Sequence, residues 1–229
     1  MTKPTDACTI GTVALGGAEK LVGIDYRVQD GKLYGVGAAG GVYVLSTTNA
    51  SASKVSQLSV ALNGQSFGVD FNPAADRLRV VSDRGQNLRH NLNDGATVAD
   101  GNLTYPPATA VALGVTGAAY TNNDLSAETA TTLFDIDTTL DQVAVQSPAN
   151  SGQLAATGKL GVDAASQAGF DIYSVVRDGR TTQVKGFAVL QVGGGSTVYA
   201  VDVLTGAVGA QGTFSGRTVV DLALPLNQL

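Results

Sequence analysis

Short apolar runs separated by glycines and polar turns dominate this chain, and no window carries an apolar stripe at helical spacing. Segments such as Val42-Tyr43-Val44-Leu45, Leu133-Phe134-Asp135-Ile136-Asp137 and Val198-Tyr199-Ala200-Val201-Asp202 are brief, β-branched and aromatic, as strands are. The pattern parses into four units of four strands. The first is Leu21–Arg27, Lys32–Val36, Gly41–Leu45 and Lys54–Leu58; the second is Phe67–Asn72, Arg77–Ser82, Asn87–Leu92 and Ala96–Asp100. The third is Val115–Tyr120, Thr132–Asp137, Gln142–Gln146 and Leu154–Leu160, interrupted by the polar stretch Thr121–Thr131. The fourth is Ala168–Tyr173, Val184–Val192, Thr197–Asp202 and Ala207–Phe214, after which Arg217–Leu224 reads as one more first strand. Turns fall at Asp30-Gly31, Asn72-Pro73 and Asn93-Asp94-Gly95, residue types that tolerate the backbone angles a reversal needs. A single helical turn over Asp163–Gln167 is the one helical expectation.

The first strand of each unit carries a phrase: Gly23-Ile24-Asp25-Tyr26, Gly68-Val69-Asp70-Phe71, Gly117-Ala118-Ala119-Tyr120 and Gly169-Phe170-Asp171-Ile172. A weaker echo is Val219-Val220-Asp221-Leu222. The third positions, 25, 70, 119, 171 and 221, lie 45 to 52 residues apart, the interval of a radial β-repeat. The fold expected is therefore all-β: a small β-propeller-like ring of four to five four-stranded repeats closed by terminal strands. A partial fifth blade fits as well as four, and an open sandwich is the fallback. Cys8–Leu15 resembles a last strand and is expected to complete a sheet with C-terminal residues, since ring closure removes free sheet edges. The whole chain, 1–229, reads as one domain with residues 1–7 as a disordered tail.

Composition narrows the partners. With 29 glycines and only 14% charged residues, short strands and turns account for the balance better than helices do. A net charge of −5 argues against nucleic acid, because phosphate binding needs a concentrated basic surface. The arginines at 77, 79, 84 and 89 are interleaved with Asp76 and Asp83, which reads as a paired or solvated stripe. No apolar run is long enough for a membrane span, so membrane insertion is not expected. Cys8 is the only cysteine, so no intrachain disulfide can form; an inert buried thiol is the reading taken, with an intermolecular bridge as the alternative.

Candidate chemistry is sparse. Gly35-Val36-Gly37-Ala38-Ala39-Gly40 matches a dinucleotide fingerprint, but a strand follows it where a helix N-terminus is needed, so it reads as a hairpin loop. One histidine, His90, excludes a multi-histidine metal site and reads as structural. No nucleophile elbow accompanies it. Asp25, Asp70 and Asp171 occupy equivalent places in innermost strands and would converge on an axis, where an oxygen-rich ring suits calcium; otherwise no cofactor is expected. The competing service is a backbone hydrogen bond needed once per repeat. The polar loops offer Arg79, Asp83, Gln86, Asn87 and Arg89, with Asn122 and Asn123, as candidate ligand-binding residues for a glycan or peptide.

The phrases SFGVDFNPAADRLRVVSDRGQNLR, AAYTNN, TTLFDID, QSPANSGQL and GKLGVD followed by GFDI resemble the bacterial domain-of-unknown-function family 4394 from Leu21 onward. That resemblance implies an extracytoplasmic propeller-like domain (secreted, periplasmic or at the cell surface) and supplies no catalytic residues. The leading function is an exported, non-catalytic binding or scaffold module that recognises a cell-surface glycan, a peptide or another surface protein. A carboxylate-dependent hydrolase or lyase at the axis, and a structural part of a surface layer, are the alternatives.

Overall fold

The computed structural model describes residues 6–17 and 19–226. It is an all-β ring of four blades, each a four-stranded antiparallel sheet built from consecutive strands. Blade 1 is β1 (Leu21–Arg27), β2 (Lys32–Gly37), β3 (Gly41–Leu45) and β4 (Ala52–Gln57). Blade 2 is β5 (Phe67–Asn72), β6 (Arg77–Ser82), β7 (Asn87–His90) and β8 (Thr97–Ala99). Blade 3 is β9 (Val115–Tyr120), β10 (Leu133–Asp137), β11 (Gln142–Gln146) and β12 (Leu154–Lys159). Blade 4 is β13 (Ala168–Arg177), β14 (Arg180–Val192), β15 (Gly195–Val201) and β16 (Val208–Phe214).

Side chains alternate across each sheet, so every blade feeds two interfaces. In β6, Leu78 and Val80 join Tyr34, Val36, Phe67 and Phe71 in a core between blades 1 and 2. Val81, on the opposite face, joins Val115, Ala118, Tyr120, Leu133 and Leu154 between blades 2 and 3. Phe134, Ile136, Phe170, Ile172, Leu190 and Tyr199 fill the space between blades 3 and 4. Among the described residues the three hydrophobic clusters serve these three interfaces, and the fourth, between blades 4 and 1, has none.

The recurring phrase makes the seam between neighbouring blades. At its glycines the next innermost strand passes so close that a side chain would collide. A Cβ on Gly68 would lie 2.5 Å from the Ala118 nitrogen, and one on Gly169 2.5 Å from the Asp221 Cα. At its third position a carboxylate reaches across the same seam. Asp25 Oδ2 accepts the Phe71 N–H at 2.7 Å, and Asp70 Oδ1 accepts that of Tyr120 at 3.0 Å. Asp171 Oδ2 accepts from Leu224 at 2.6 Å, and Asp221 Oδ2 closes the circuit on the Ile24 N–H at 2.7 Å. Residues 217–224 thus hold a fifth innermost position without bringing a fifth blade, and the choice between four and five resolves as four blades plus this segment.

Four expectations need correction, the first being the strand over Arg217–Leu224, which takes an innermost position without pairing in any sheet. Cys8–Leu15 forms no strand, because each sheet already has its four strands from contiguous sequence; Leu15 instead offers its carbonyl to the Tyr43 hydroxyl at 3.3 Å. Asp163–Gln167 is not helical; the short 3₁₀ turn is Ala149–Ser151. Cys8 is exposed rather than buried. Of the expected tail, residues 1–5 lie outside the described residues, while Asp6 and Ala7 are exposed and carry no strand.

Candidate functional site

The axis brings the expected aspartates together. Asp25, Asp70 and Asp171 are buried, and one carboxylate oxygen from each lies within 4.8 Å of the others. Convergence and backbone service, posed as alternatives by the sequence, are both present. Burial holds the Asp25 carboxyl well above its usual range, reinforced by Asp171; burial does the same to Asp70, reinforced by Asp25. Burial also raises Asp171 to about 6 and Asp221 to about 8, although each accepts two backbone N–H bonds that oppose the shift. Ala119 occupies the equivalent place in β9, and the N–H its aspartate would have bound, that of Ile172, goes to Asp171 Oδ1 at 2.6 Å. Three convergent oxygens in this ring are a donor set that suits calcium more than a nitrogen- or sulfur-seeking metal.

Between blades 2 and 3 lies a second polar centre, built around Arg79. Its place in β6, beside Val81 on the blade-3 face, drives the guanidinium into the interface, where it is 2% exposed. It donates to Asn87 Oδ1 and Asp100 Oδ2, both at 2.7 Å, to Asn150 Oδ1 at 2.8 Å and to the Tyr120 hydroxyl at 3.2 Å. Asp100 also accepts a bidentate pair from Arg89, at 2.6 and 2.9 Å. Asn87 ties in both connecting loops, donating to the Gly101 and Ala149 carbonyls. A buried arginine is tolerated because its donors meet fixed acceptors in fork geometry.

This network floors a cavity of about 250 Å³ lined by Asn72, Arg77, Arg79, Arg89, Tyr120 and Asn150. Arg77 spends Nη1 on the Ala75 and Asp76 carbonyls, and Arg89 spends Nε and Nη2 on Asp100. Among the described residues no protein acceptor is met by Arg77 Nη2, Arg89 Nη1 or Asn150 Nδ2, which belong to residues that line this concavity. Deeper in the same interface sits Asp135, wholly buried, with neither oxygen accepting a hydrogen bond from the protein. Burial pushes its pKa well up, and Arg79 pulls against that shift.

The remaining candidates do not reach this cavity. Asp83 Oδ1 accepts the Gln65 N–H, while Gln86 accepts from Asn63 and donates to Ala61, so both fasten the connection from blade 1 to blade 2. Asn122 donates to the Ala130 carbonyl within its own loop. Asn123 donates its N–H to Ser174 Oγ and its Nδ2 to the Ile172 carbonyl, and Asp124 Oδ2 accepts both the N–H and hydroxyl of Thr181. With the exposed Arg180–Glu128 ion pair, that loop is latched to the long β13–β14 hairpin. His90 is fully buried between Ser56 and Thr97, at 2.7 and 2.9 Å, and burial lowers its pKa. The Gly35–Gly40 phrase spans the β2–β3 turn, as expected of a hairpin.

Sequence reasoning therefore located Arg79, Asn87 and Arg89 but missed Arg77, Asp100, Tyr120 and Asn150. Arg77 lies two residues before Arg79, on the same face of β6, and Arg89 pairs directly opposite Arg79 from β7, a signal present in the strand pattern. Asp100 and Asn150 join it from connecting loops 21 and 71 residues away, which no local pattern announces.

Similarity to known proteins agrees with the architecture. No curated protein matches the chain. Among solved structures, a protein of unknown function from Bacteroides thetaiotaomicron aligns with a TM-score of 0.57 at 15% identity, over 89% of this chain and 54% of that one. This chain thus spans about half of that protein's length, and at such identity the likeness is one of fold. The nidogen/laminin complex aligns with a TM-score of 0.49 at 12% identity, over 78% of this chain and 60% of that one. The major allergen Mala s 1 of Malassezia sympodialis gives 0.47 at 12% identity, over 87% and 56%. A family model spans residues 2–223, from before the first blade to the closing segment, and the chain belongs to the family described as Domain of unknown function (DUF4394).

Proposed function

We propose that this propeller is a non-catalytic binding module, acting outside the cytoplasm, whose site is the cavity between blades 2 and 3 and whose ligand is an acidic sugar residue of a surface glycan. The observation that carries this reading is a set of donors, Arg77 Nη2, Arg89 Nη1 and Asn150 Nδ2, that meet no acceptor among the described residues and belong to residues lining one small concavity. Two guanidinium groups and an amide match a carboxylate flanked by hydroxyls, and arginine recognises carboxylates bidentately. At about 250 Å³ the cavity admits one residue-sized group rather than a cofactor. Arg79 supports the site without serving it, since its bonds to Tyr120, Asn87, Asp100 and Asn150 all run to protein acceptors. The buried axial carboxylates, each bonded to backbone amides, weigh against the carboxylate-chemistry alternative.

Calorimetric titration with uronate-containing oligosaccharides and their neutral counterparts tests this. The expected result is binding of the acidic series alone, weakened about tenfold or more by Arg89→Ala or Asn150→Ala. Asp100 keeps its bond from Arg79 in the first variant, so the melting temperature should fall only slightly. Binding that ignores both substitutions, or preference for neutral sugars or acidic peptides, would overturn the assignment. Cell fractionation with an antibody to the chain tests the extracytoplasmic placement.

A further inference from the structure

We propose that residues 217–224 are a docking edge for an extended strand of a partner protein, which stands beside this segment as the second strand stands beside the first in each blade. In the four blades the innermost strand is always paired: β1 with β2, β5 with β6, β9 with β10 and β13 with β14. Residues 217–224 hold a fifth such position by the same seam contacts, with the Asp221 carboxylate crossing to the Ile24 N–H and Gly169 of β13 admitting the Asp221 Cα. Yet among the described residues no backbone group of 217–224 bonds to another backbone group. Side chains meet only part of the demand. Ser196 Oγ accepts the Val219 N–H at 2.9 Å and Gln191 Nε2 donates to the Val219 carbonyl at 2.6 Å. Asp221 and Asp171 accept the N–H groups of Leu222 and Leu224. The backbone groups of Asp221 and Ala223 have neither kind of partner among the described residues. Unlike the outer strands β4, β8, β12 and β16, which pair along one edge, this segment pairs along none.

A cavity adjoins this edge. Arg217 and Val220 wall it together with Leu21, Val22, Ile24 and Gln167, and at about 650 Å³ it falls within the roughly 300–1,000 Å³ of ordinary ligand clefts. Two features name the occupant. Unpaired N–H and C=O groups along a chain edge are satisfied by another strand, a mode in which main-chain bonds hold the ligand and alternate side chains select it. The cavity wall does the selecting. Leu21, Val22 and Ile24 offer apolar contact, and Val220, 42% exposed, adds to it. Arg217 is exposed and takes part in none of the ion pairs found among the described residues, so it suits an acidic side chain. The partner strand therefore alternates apolar and polar residues and carries a carboxylate at the end that meets Arg217. Its apolar face would supply what the interface between blades 4 and 1 lacks, since the three hydrophobic clusters among the described residues serve the other interfaces.

The probe is a short synthetic peptide of alternating valine and threonine that ends in aspartate, titrated by calorimetry, with hydrogen exchange read on the complex. Strand addition predicts binding that slows exchange at the Asp221 and Ala223 amides about tenfold or more and leaves β9 unchanged. Methylating alternate backbone nitrogens of the peptide should abolish binding in one register and spare it in the other, because only one edge of a strand faces the ladder. Arg217→Ala should weaken binding about two- to fivefold at low salt, a loss that a peptide ending in lysine should not show. Arg89→Ala, in the cavity between blades 2 and 3, should leave this binding unchanged, which keeps the two sites distinguishable. No binding at millimolar peptide, protection confined to other segments, or equal binding by both methylated forms would overturn the proposal. So would protection of the same amides that rises with protein concentration alone, alongside dimers in sedimentation, which would assign the edge to a second copy of this chain.

Discussion

Replacing Gly68 by alanine isolates the seam that the recurring phrase builds. The new Cβ would sit 2.5 Å from the Ala118 nitrogen and 2.7 Å from the Gly117 carbonyl carbon, both backbone atoms of β9 that no rotamer change can move aside. Overpacking of this kind costs about 1–3 kcal/mol. Displacing β9 also lengthens the 3.0 Å bond from the Tyr120 N–H to Asp70 Oδ1, stranding a buried polar pair at about 1–3 kcal/mol more. A loss of about 2–6 kcal/mol is a large part of a typical stability of about 5–15 kcal/mol. For a chain of this size it should lower the melting temperature by roughly 4–24 °C. The control is Gly209→Ala in β16, where the nearest atom to a new Cβ, Gln211 Nε2, is 4.0 Å away and the change should be neutral or slightly favourable. Thermal and urea unfolding at one pH measure both. A Gly68→Ala protein melting within a degree of the parent, or falling no further than Gly209→Ala, would refute the seam as the reason for the phrase.

Other substitutions probe the interior charges. Arg79→Met removes the donors that Asn87, Asp100, Tyr120 and Asn150 share and should cost about 3–5 kcal/mol in urea unfolding, even at high salt. Asp135→Asn should raise the melting temperature at pH 8 and leave it nearly unchanged at pH 4. The carboxyl's folded pKa lies above its unfolded one, so its penalty exists only where the unfolded chain would ionise. Ala119→Asp, which completes the axial series, should destabilise the ring at pH 8 more than at pH 4. It adds a further like charge, while the Ile172 N–H it would bind is already taken by Asp171.

Much of the architecture was readable because local rules agreed with the global fold. β1, β3, β5, β6, β9 and β11 begin and end where alternation and turn residues place them. The largest boundary error is in blade 4, where β13 and β14 run on to Arg177 and Arg180 around Asp178-Gly179. Both residues adopt positive φ, so a two-residue hairpin signal stood in the sequence, masked by the polar Arg180-Thr181-Thr182-Gln183 run. That run is polar because the hairpin projects beyond the blade core and meets the Asn123–Asp124 loop, a contact made across 57 residues. The closing segment was misjudged for a related reason. Arg217–Leu224 has a strand's composition, yet its neighbours are a glycine of β13 on one side and Ile24 on the other, so its donors meet side chains instead of a ladder.

The candidate site was only half legible, and the dividing line is whether a residue's partner is fixed by its own repeat. The aspartates could be aligned because the same position recurs with the same service, a carboxylate reaching across the seam, in every innermost segment except β9, where Ala119 stands. The Arg79 network answers a need of one interface alone. In blade 1 the residue opposite Asp25 in β2 is Tyr34, in blade 2 the residue opposite Asp70 is Arg79, and in blade 4 Phe187 stands opposite Asp171. Where Tyr34 packs edge-on against Phe71, with ring centroids 5.2 Å apart, the interface is apolar and closes tightly. Where an arginine takes that place, the interface must supply acceptors from loops, and loops carrying acceptors leave spare donors and room beside them. The equivalent position that breaks the apolar pattern is thus where a cavity forms, so an exception within a repeat is a better guide to where an interface opens than the repeat itself.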